Sequence, residues 1–515
     1  MEPRRPWILI CSALVMTLGL ACAKLADSAW QSVVRFTPHE SVQGELPAPP
    51  ALTERLLFVL LDGVRLDASQ DMETLRALAA RGASGSLRVG VPSLSNPGRA
   101  TLATGAWPEG HGVTNNGSFR PPTVESVISL AAKHGLPRTV FGSYFWSKAF
   151  GEFLGPDARR FDKELGDVGG AAPLIAWQQE TCAEMVPFFA QRQRGLLIAG
   201  ITASDEAGHD FGGESDVYRE VVAASDRCLG DLVAALDDSS TTFVVTSDHG
   251  HIDRRGSGGH GGVEPEVMQV PLVLAGRGIR SSSGWKGLQV DVAPTLCALL
   301  GLPPPANSEG RAWVEALDLS ASEEQTWNEI ESKQQERLEA RTPDRILIAA
   351  NERNQRLPLA LAAALLLLAA AGAPLYICRD RRTRFLTAIV VWYAVYAVLF
   401  RLFGLGYSLS DVVKEEYLNG FFARDMAAAV LALAAAALVL GELRRRAPFL
   451  ALSLAALVSL QVVWVYAQSG LFAGELLPDI PAAFSAYLDL LAILALGLAG
   501  PVLSAGDALG RRWAP

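Results

Sequence analysis

Three short hydrophobic runs in the first half of the chain each lead into carboxylate or imidazole side chains. LLFVLL ends at Asp62, GLLIAGI is followed by Asp205 and His209, and TFVVTS by Asp248 and His249. One more histidine, His260, sits in the glycine-rich stretch GSGGHGG. Runs this short and rich in Val, Ile and Leu read as strands of a parallel sheet buried on both faces. In open α/β sheets ligands bind outside the carboxyl ends of the strands. Three Asp and three His should then converge on one sheet edge, with the composition of a two-metal site. Mixed imidazole and carboxylate donors suit zinc, whereas magnesium and calcium prefer all-oxygen shells. The expectation is an enzyme with two zinc ions, manganese being the weaker alternative.

The stretch SLSNPGRATLATGAWPEGHGVTNNG, residues 93–117, supplies a candidate nucleophile. Its small residues, Pro97 and Gly98 make a tight turn before a short helical segment, where N–H groups and the helix dipole favour an oxyanion. Ser93 and Ser95 could instead merely cap that helix. Because Asp62 ends the preceding strand, the serine would lie beside a metal, which lowers a hydroxyl's pKa without a histidine base. A hydrolase triad is the weaker explanation, since the sequence contains no GxSxG elbow.

These groups need a scaffold, and the composition splits sharply near residue 357. Before it the chain is rich in Asp, Glu, Arg and Gly, as in a soluble α/β domain; after it Ala and Leu dominate. Five apolar stretches follow, at 357–377, 385–403, 423–440, 448–467 and 482–503, each long enough to cross a bilayer core. Arg379, Arg381, Arg382 and Arg384 fall between the first two, Arg444, Arg445 and Arg446 between the third and fourth, and Arg511 and Arg512 after the fifth. The alternate loops carry Asp411, Glu415, Glu416, Glu475 and Asp479, with Lys414 their one basic residue. The positive-inside rule makes the arginine loops and the C-terminus cytoplasmic, and the segment before 357 extracytoplasmic. Residues 1–24 agree: Arg4 and Arg5 precede the apolar stretch 7–23. A retained anchor is preferred, although Ala21-Cys22-Ala23 also fits a signal-peptidase site. Gly19, where a bulky aliphatic residue is usual, argues against a lipoprotein signal at Cys22. Residues 55–305 would form the catalytic domain and 306–356 a charged helical linker to a five-span domain at 357–515.

A net charge of −9 and the lack of a basic patch interleaved with aromatics argue against nucleic acid as a partner. The six cysteines show no framework spacing; Cys182 and Cys228 could pair or remain buried thiols.

LLDGVRLD, SNPGRATLATG with PEGHGVTNN, DEAGHDFG, SDHG and GGHGG, in that order, resemble the motif set of the alkaline phosphatase superfamily. The likeness is to its phosphodiesterase branch: nucleotide pyrophosphatase/phosphodiesterases and the ethanolamine-phosphate transferases of glycolipid-anchor synthesis. It covers about residues 55–305. It implies a mostly parallel sheet flanked by helices, to which the sequence adds an all-α transmembrane domain. By this resemblance Ser95 is the nucleophile, held by the metal that Asp62, Asp248 and His249 ligate. Asp205, His209 and His260 hold the second metal, and Asn116 contacts a phosphoryl oxygen. A covalent phosphoserine would pass its phosphoryl group to water or to an acceptor hydroxyl, on a membrane lipid or lipid-linked phosphodiester such as phosphatidylethanolamine.

Plainer readings exist for several residues. Asp205 and His209, four apart, could be an ordinary surface pair on a helix, and Asp248-His249 a plain turn. His111 and His251 are read as structural, since neither falls on a matched ligand position. Arg65 with Asp67 is read as a supporting pair rather than a substrate contact. Ser95, Pro97 and Arg99 also spell S-x-P-x-R, the pattern in which sulfatases make a formylglycine, so a sulfatase is the main alternative; Arg99 would otherwise meet phosphate or brace the turn. A catalytically silent, membrane-anchored binding protein is the other.

Overall fold

The computed structural model describes residues 5–510 apart from 39–41, 43, 45, 48, 155–157, 161–168, 255–256, 413, 415–417 and 442. Arg4, Gly256, Glu415, Glu416, Arg511 and Arg512, used above, lie outside the described residues, and the side chains of Arg5, Arg444 and Arg445 are not described. The chain forms two compact units, one of residues 36–345 and one of residues 1–35 with 346–515.

The first unit is α/β. Its strands are β1 (Arg55–Leu61), β2 (Ala83–Arg88), β3 (Arg138–Gly142), β4 (Ala158–Arg160), β5 (Gly195–Ile201), β6 (Thr241–Thr246), β7 (Gln269–Gly276) and β8 (Ser282–Leu288). They form one sheet in the order β4-β3-β5-β1-β6-β7-β2-β8. Every residue of β1 is buried. Side chains alternate between faces along a strand, so Leu56, Phe58 and Leu60 join one hydrophobic cluster while Leu57, Val59 and Leu61 join another. Helices Ala171–Ala190 and Asp216–Leu236 cover the second face, and a disulfide between Cys182 and Cys228 joins them.

The sheet is mostly parallel, as the resemblance implies, with one reversed strand among those described. β7 runs antiparallel to both β6 and β2. An apolar run such as QVPLVLAG carries no mark of its direction, so periodicity could not reveal this. The reversal positions the site. β1 pairs in parallel with β5 and β6, Leu61 opposite Ile201 and Leu60 opposite Thr246, so three chain segments leave the sheet at one level. Because β7 is reversed, the connection from β6 to β7 stays at that same edge, and β2 also ends there.

The second unit is helical. Among the described residues six helices are long and apolar enough to cross a membrane: Pro6–Val34, Ala321–Ile377, Arg379–Leu402, Leu418–Leu440, Arg446–Ser469 and Ile480–Ser504. The charged segment expected as a separate linker and the first apolar stretch after it belong to one helix, Ala321–Ile377. Many buried positions are alanines, among them Ala428, Ala432, Ala436, Ala451 and Ala495. Small residues let helices approach closely where water supplies no hydrophobic drive. Gly19 is such a contact: a Cβ there would lie 3.2 Å from the Gly497 Cα. Cys11, Val15, Cys22 and Ala26 of the N-terminal helix are buried in the same cluster.

Candidate metal centre

Asp62 follows β1, and its backbone N–H donates to the Ile201 carbonyl at 2.8 Å. Its carboxylate is buried, 2 % exposed. Gly63 turns the chain away from it at φ +69°, where a Cβ would meet the His251 imidazole and Asp205. The carbonyl of Asp62 accepts from the Ser204 hydroxyl at 2.7 Å. Asp205 and His209 stand one turn apart on helix Ala203–Phe211, which begins directly after β5. They are not a solvent-facing pair: His209 Nε2 lies 3.5 Å from Asp205 Oδ2 and 3.2 Å from His260 Nε2.

Asp248 and His249 follow β6, and the chain then loops back through His251 and His260. The Nδ1 of His249 faces the Gly250 carbonyl at 3.2 Å, and the Nδ1 of His260 faces the Ser93 carbonyl at 3.0 Å. With each Nδ1–H donating to a carbonyl, each Nε2 keeps its lone pair for the centre, as in backbone-oriented metal-binding histidines. The two rings stack at 3.6 Å.

Ser95 is the first residue of helix Ser95–Thr104, which starts five residues before the expected ATLATG segment and carries Pro97 in its first turn. Neither serine caps it. Ser93 ties the β2 connection to the histidine loop, donating to the Gly262 carbonyl at 2.8 Å and accepting from the Gly261 N–H at 3.0 Å. Ser95 Oγ lies 3.0 Å from His249 Nε2. Asn116 braces the same turn: its Oδ1 accepts from the Asn96 N–H at 3.0 Å and its carbonyl from the Asn96 side chain at 2.6 Å.

Two sets of donor atoms converge. Asp62 Oδ1, Asp248 Oδ2 and His249 Nε2 form one, each carboxylate oxygen 3.8 Å from the imidazole nitrogen. Both of those oxygens are buried without a hydrogen bond among the described residues. Buried polar atoms are otherwise nearly always satisfied, so the pair fits a cation. Asp205, His249, His251 and His260 form the second set, with His209 against it. Burial opposes ionisation of Asp205, but the neighbouring His209 and His251 hold its carboxyl well below the usual range. Burial pushes His251 down to about 4 and His260 well below its ordinary value, leaving both imidazoles neutral, the form that ligates. The donor chemistry of both sets therefore fits metal ions.

His251 is the residue that motif matching passed over. Its Nε2 lies 2.8 Å from Asp205 Oδ1, and Gly208 leaves room for its ring, since a Cβ there would sit 2.4 Å from it. A signal for it was present in the spacing Asp248-His249-Gly250-His251, where alternate residues can face one side. His111 is placed as a structural residue, with Thr101 Oγ1 at 3.1 Å on its Nε2 and the Val113 N–H at 3.1 Å on its Nδ1.

Arg99, buried, contacts Asp62 Oδ2, and its Nε lies 3.6 Å from Asp248 Oδ2. It supplies counter-charge to both carboxylates. Burial pushes the Asp62 carboxyl up, and Arg99 opposes that shift. Arg65 forms a two-point pair with Asp67, at 2.9 and 2.6 Å, and its Nη1 reaches the His251 carbonyl at 3.3 Å.

Comparison with known proteins agrees with the motif resemblance. Residues 56–264 match the family described as "Type I phosphodiesterase / nucleotide pyrophosphatase". GPI ethanolamine phosphate transferase 1 of Homo sapiens is 25% identical over 385 residues, covering 62% of this chain and 40% of that protein. The 2,3-bisphosphoglycerate-independent phosphoglycerate mutase of Synechococcus elongatus is 27% identical over 220 residues, covering 38% of this chain and 40% of that protein. Among solved structures, murine ectonucleotide pyrophosphatase/phosphodiesterase 5 aligns at 15% identity and a TM-score of 0.40, covering 49% of this chain and 96% of that one. The chain spans about two fifths of the length of the human transferase it matches.

Proposed function

We propose that this chain, whose residues 56–264 match the type I phosphodiesterase/nucleotide pyrophosphatase family, is a membrane-bound, zinc-dependent phosphodiesterase or phosphoryl transferase working through a phosphoserine. The observation that carries this is Ser95 Oγ, 3.0 Å from His249 Nε2, beside the unsatisfied oxygens of Asp62 and Asp248. Asp62, Asp248 and His249 would hold one ion; Asp205, His209 and His260, with His251 beside them, the other. Bound there, the ions would lower the Ser95 hydroxyl's pKa and offset charge on the phosphoryl oxygens.

Ser95 Oγ then attacks phosphorus in line: the Oγ–P bond forms and the ester P–O bond breaks, its electron pair leaving with the first alcohol. Asn116, fixed on the Asn96 turn, offers its side-chain amide N–H to a phosphoryl oxygen. Arg99 offsets the charge of Asp62 and Asp248 where no ion does. In the second half an incoming hydroxyl displaces Ser95 from phosphorus. Water makes the protein a hydrolase and a lipid or glycan hydroxyl makes it a transferase. A lipid-linked phosphodiester is the favoured substrate, because a single helix would suffice as a tether and six apolar helices are present. The relative named as an ethanolamine phosphate transferase supports phosphoethanolamine as the transferred group.

We place the catalytic unit outside the cytoplasm, with residues 1–24 as a retained anchor. The arginines of the loops and the Cys182–Cys228 disulfide, at home in an oxidising compartment, support this. The sulfatase reading is disfavoured because four imidazoles stand where calcium would want oxygens. The test assays the purified full chain with zinc on a phosphodiester and on a sulfate ester, alongside Ser95→Ala. We expect phosphodiester turnover that falls at least about a thousandfold in the variant. Faster sulfate-ester turnover, or undiminished activity in Ser95→Ala, would overturn the reading.

A further inference from the structure

Gln289 belongs to neither donor set, yet it is only 1 % exposed. Glutamine is mostly a surface residue, and this one directly follows β8, an edge strand whose own residues are half-buried or exposed. Both ends of its buried amide are in use. Nε2 donates to the Asp248 carbonyl at 2.9 Å, and Oε1 accepts from the Gly90 N–H at 3.2 Å. A carbonyl accepts and a backbone N–H donates, so these two partners fix which way the amide points.

The partners sit on chain segments that leave the sheet apart from each other. Gly90 follows β2 and Asp248 follows β6, and β7 lies between those strands. No ladder hydrogen bond joins them there, and the Gln289 side chain supplies the link. The turn that carries it, Gln289–Asp291, is itself pinned. The Asp291 carboxylate accepts from the Leu288 N–H at 2.7 Å and from the Arg311 N–H at 2.9 Å.

The Asp248 carbonyl lies in the peptide plane shared with His249, and both residues offer atoms to one donor set. Holding that carbonyl therefore fixes the backbone from which both side chains project. Asp248 Oδ1 accepts from the Gly63 and His249 N–H groups, each at 3.2 Å, while Oδ2 has no hydrogen bond among the described residues. The helix carrying Ser95 rests on the same contact. A Cβ on Gly98, its fourth residue, would stand 3.2 Å from both the Asp248 Cβ and the Gln289 Nε2.

We propose that Gln289 is a positioning residue for the metal centre. By holding the Asp248–His249 peptide beside the first turn of the Ser95 helix, it sets the spacing between two metal donors and the attacking hydroxyl. The inference rests on the reading of Asp248 as a metal ligand and adds the residue that keeps it in place. Methionine at 289 would fill a similar volume but leave the Asp248 carbonyl without its donor and the Gly90 N–H without its acceptor.

Zinc affinity of the full chain would be measured by chelator competition and metal-free stability by denaturant unfolding, in Gln289→Met, Gln289→Asn, Asp248→Asn and Gln334→Met. Gln334 is the control: it is buried, and its Nε2 donates to the Ala306 and Ser308 carbonyls at 3.1 and 2.7 Å. We expect Gln289→Met to weaken zinc binding about 10- to 100-fold, the usual effect of losing a group that orients a ligand. Gln289→Asn, which keeps the amide but is one methylene short, should weaken it less. Gln334→Met should lose stability with zinc affinity unchanged. On a phosphodiester, the kcat of Gln289→Met should fall while KM stays. If both variants at 289 keep full zinc affinity while Asp248→Asn loses it, the metal reading stands and the positioning role is overturned. Unchanged zinc affinity in Asp248→Asn would overturn the reading of that ligand and the inference with it.

Discussion

Replacing Arg99 with methionine would remove a guanidinium buried among the carboxylates proposed to hold a metal, while keeping most of its aliphatic volume. Arg99 contacts Asp62 and lies 3.6 Å from Asp248 Oδ2. At that separation its attraction to Asp248 is about 5 kcal/mol at an effective dielectric constant near 20. Desolvation of a side chain that is 7 % exposed offsets much of this. Removing one partner of a buried pair nevertheless costs about 3–5 kcal/mol, because the other charge is left uncompensated. The metal-free Arg99→Met chain should therefore be less stable by about that amount. Zinc bound as proposed would restore positive charge between the same carboxylates and would no longer face Arg99 as a competitor. The variant should accordingly bind zinc more tightly, by about tenfold or more, each factor of ten being about 1.4 kcal/mol. Zinc affinity would be measured by chelator competition, and stability by denaturant unfolding of the detergent-solubilised chain with and without zinc. Unchanged metal-free stability together with equal or weaker zinc binding would refute the reasoning and move Arg99 to the substrate.

Three further outcomes are expected. His251→Ala should weaken zinc binding about 10- to 100-fold, the usual effect of losing a group that orients a ligand, with chelator competition as the readout; unchanged affinity would return His251 to a purely structural role. Cys182→Ala with Cys228→Ala opens a loop closed over a sequence separation of 46, worth about 4 kcal/mol in the chain-entropy account and checked by denaturant unfolding of the full chain. Burial holds His111 from its ordinary 6.5 down to about 3. The folded state then takes up that proton later than the unfolded one. Its stabilisation is complete above pH 6.5 and is lost as pH falls towards 3, by about 1.4 kcal/mol per pH unit. His111→Gln should flatten this slope in unfolding measured at pH 7, 5.5 and 4.5.

Much of the centre was legible because its residues come in short, ordered motifs at strand ends. Asp62, Asp205, His209, Asp248, His249 and His260 all meet at one sheet edge. His251 escaped because only the return of the β6–β7 connection brings it to Asp205, a contact between residues 46 positions apart. Arg99 was readable only as a motif letter. Four residues after Ser95 on one helix, it shares that residue's face, yet its contact with Asp62 depends on where β1 ends. The direction of β7 was hidden, since a strand buried on both faces looks alike either way. Cys182 and Cys228 pair only because two long helices pack side by side on the sheet. The single helix Ala321–Ile377 joins a charged stretch to an apolar one, and the change of composition concealed its continuity.

The central claim is a covalent phosphoryl group on Ser95. The most direct measurement quenches the zinc-loaded chain in acid during turnover of a phosphodiester labelled at phosphorus, then maps the label by peptide mass spectrometry. The account predicts phosphate on Ser95, absent from Ser95→Ala. Labelled product formed with Ser95 unmodified throughout turnover, or a formylglycine at position 95, would contradict it.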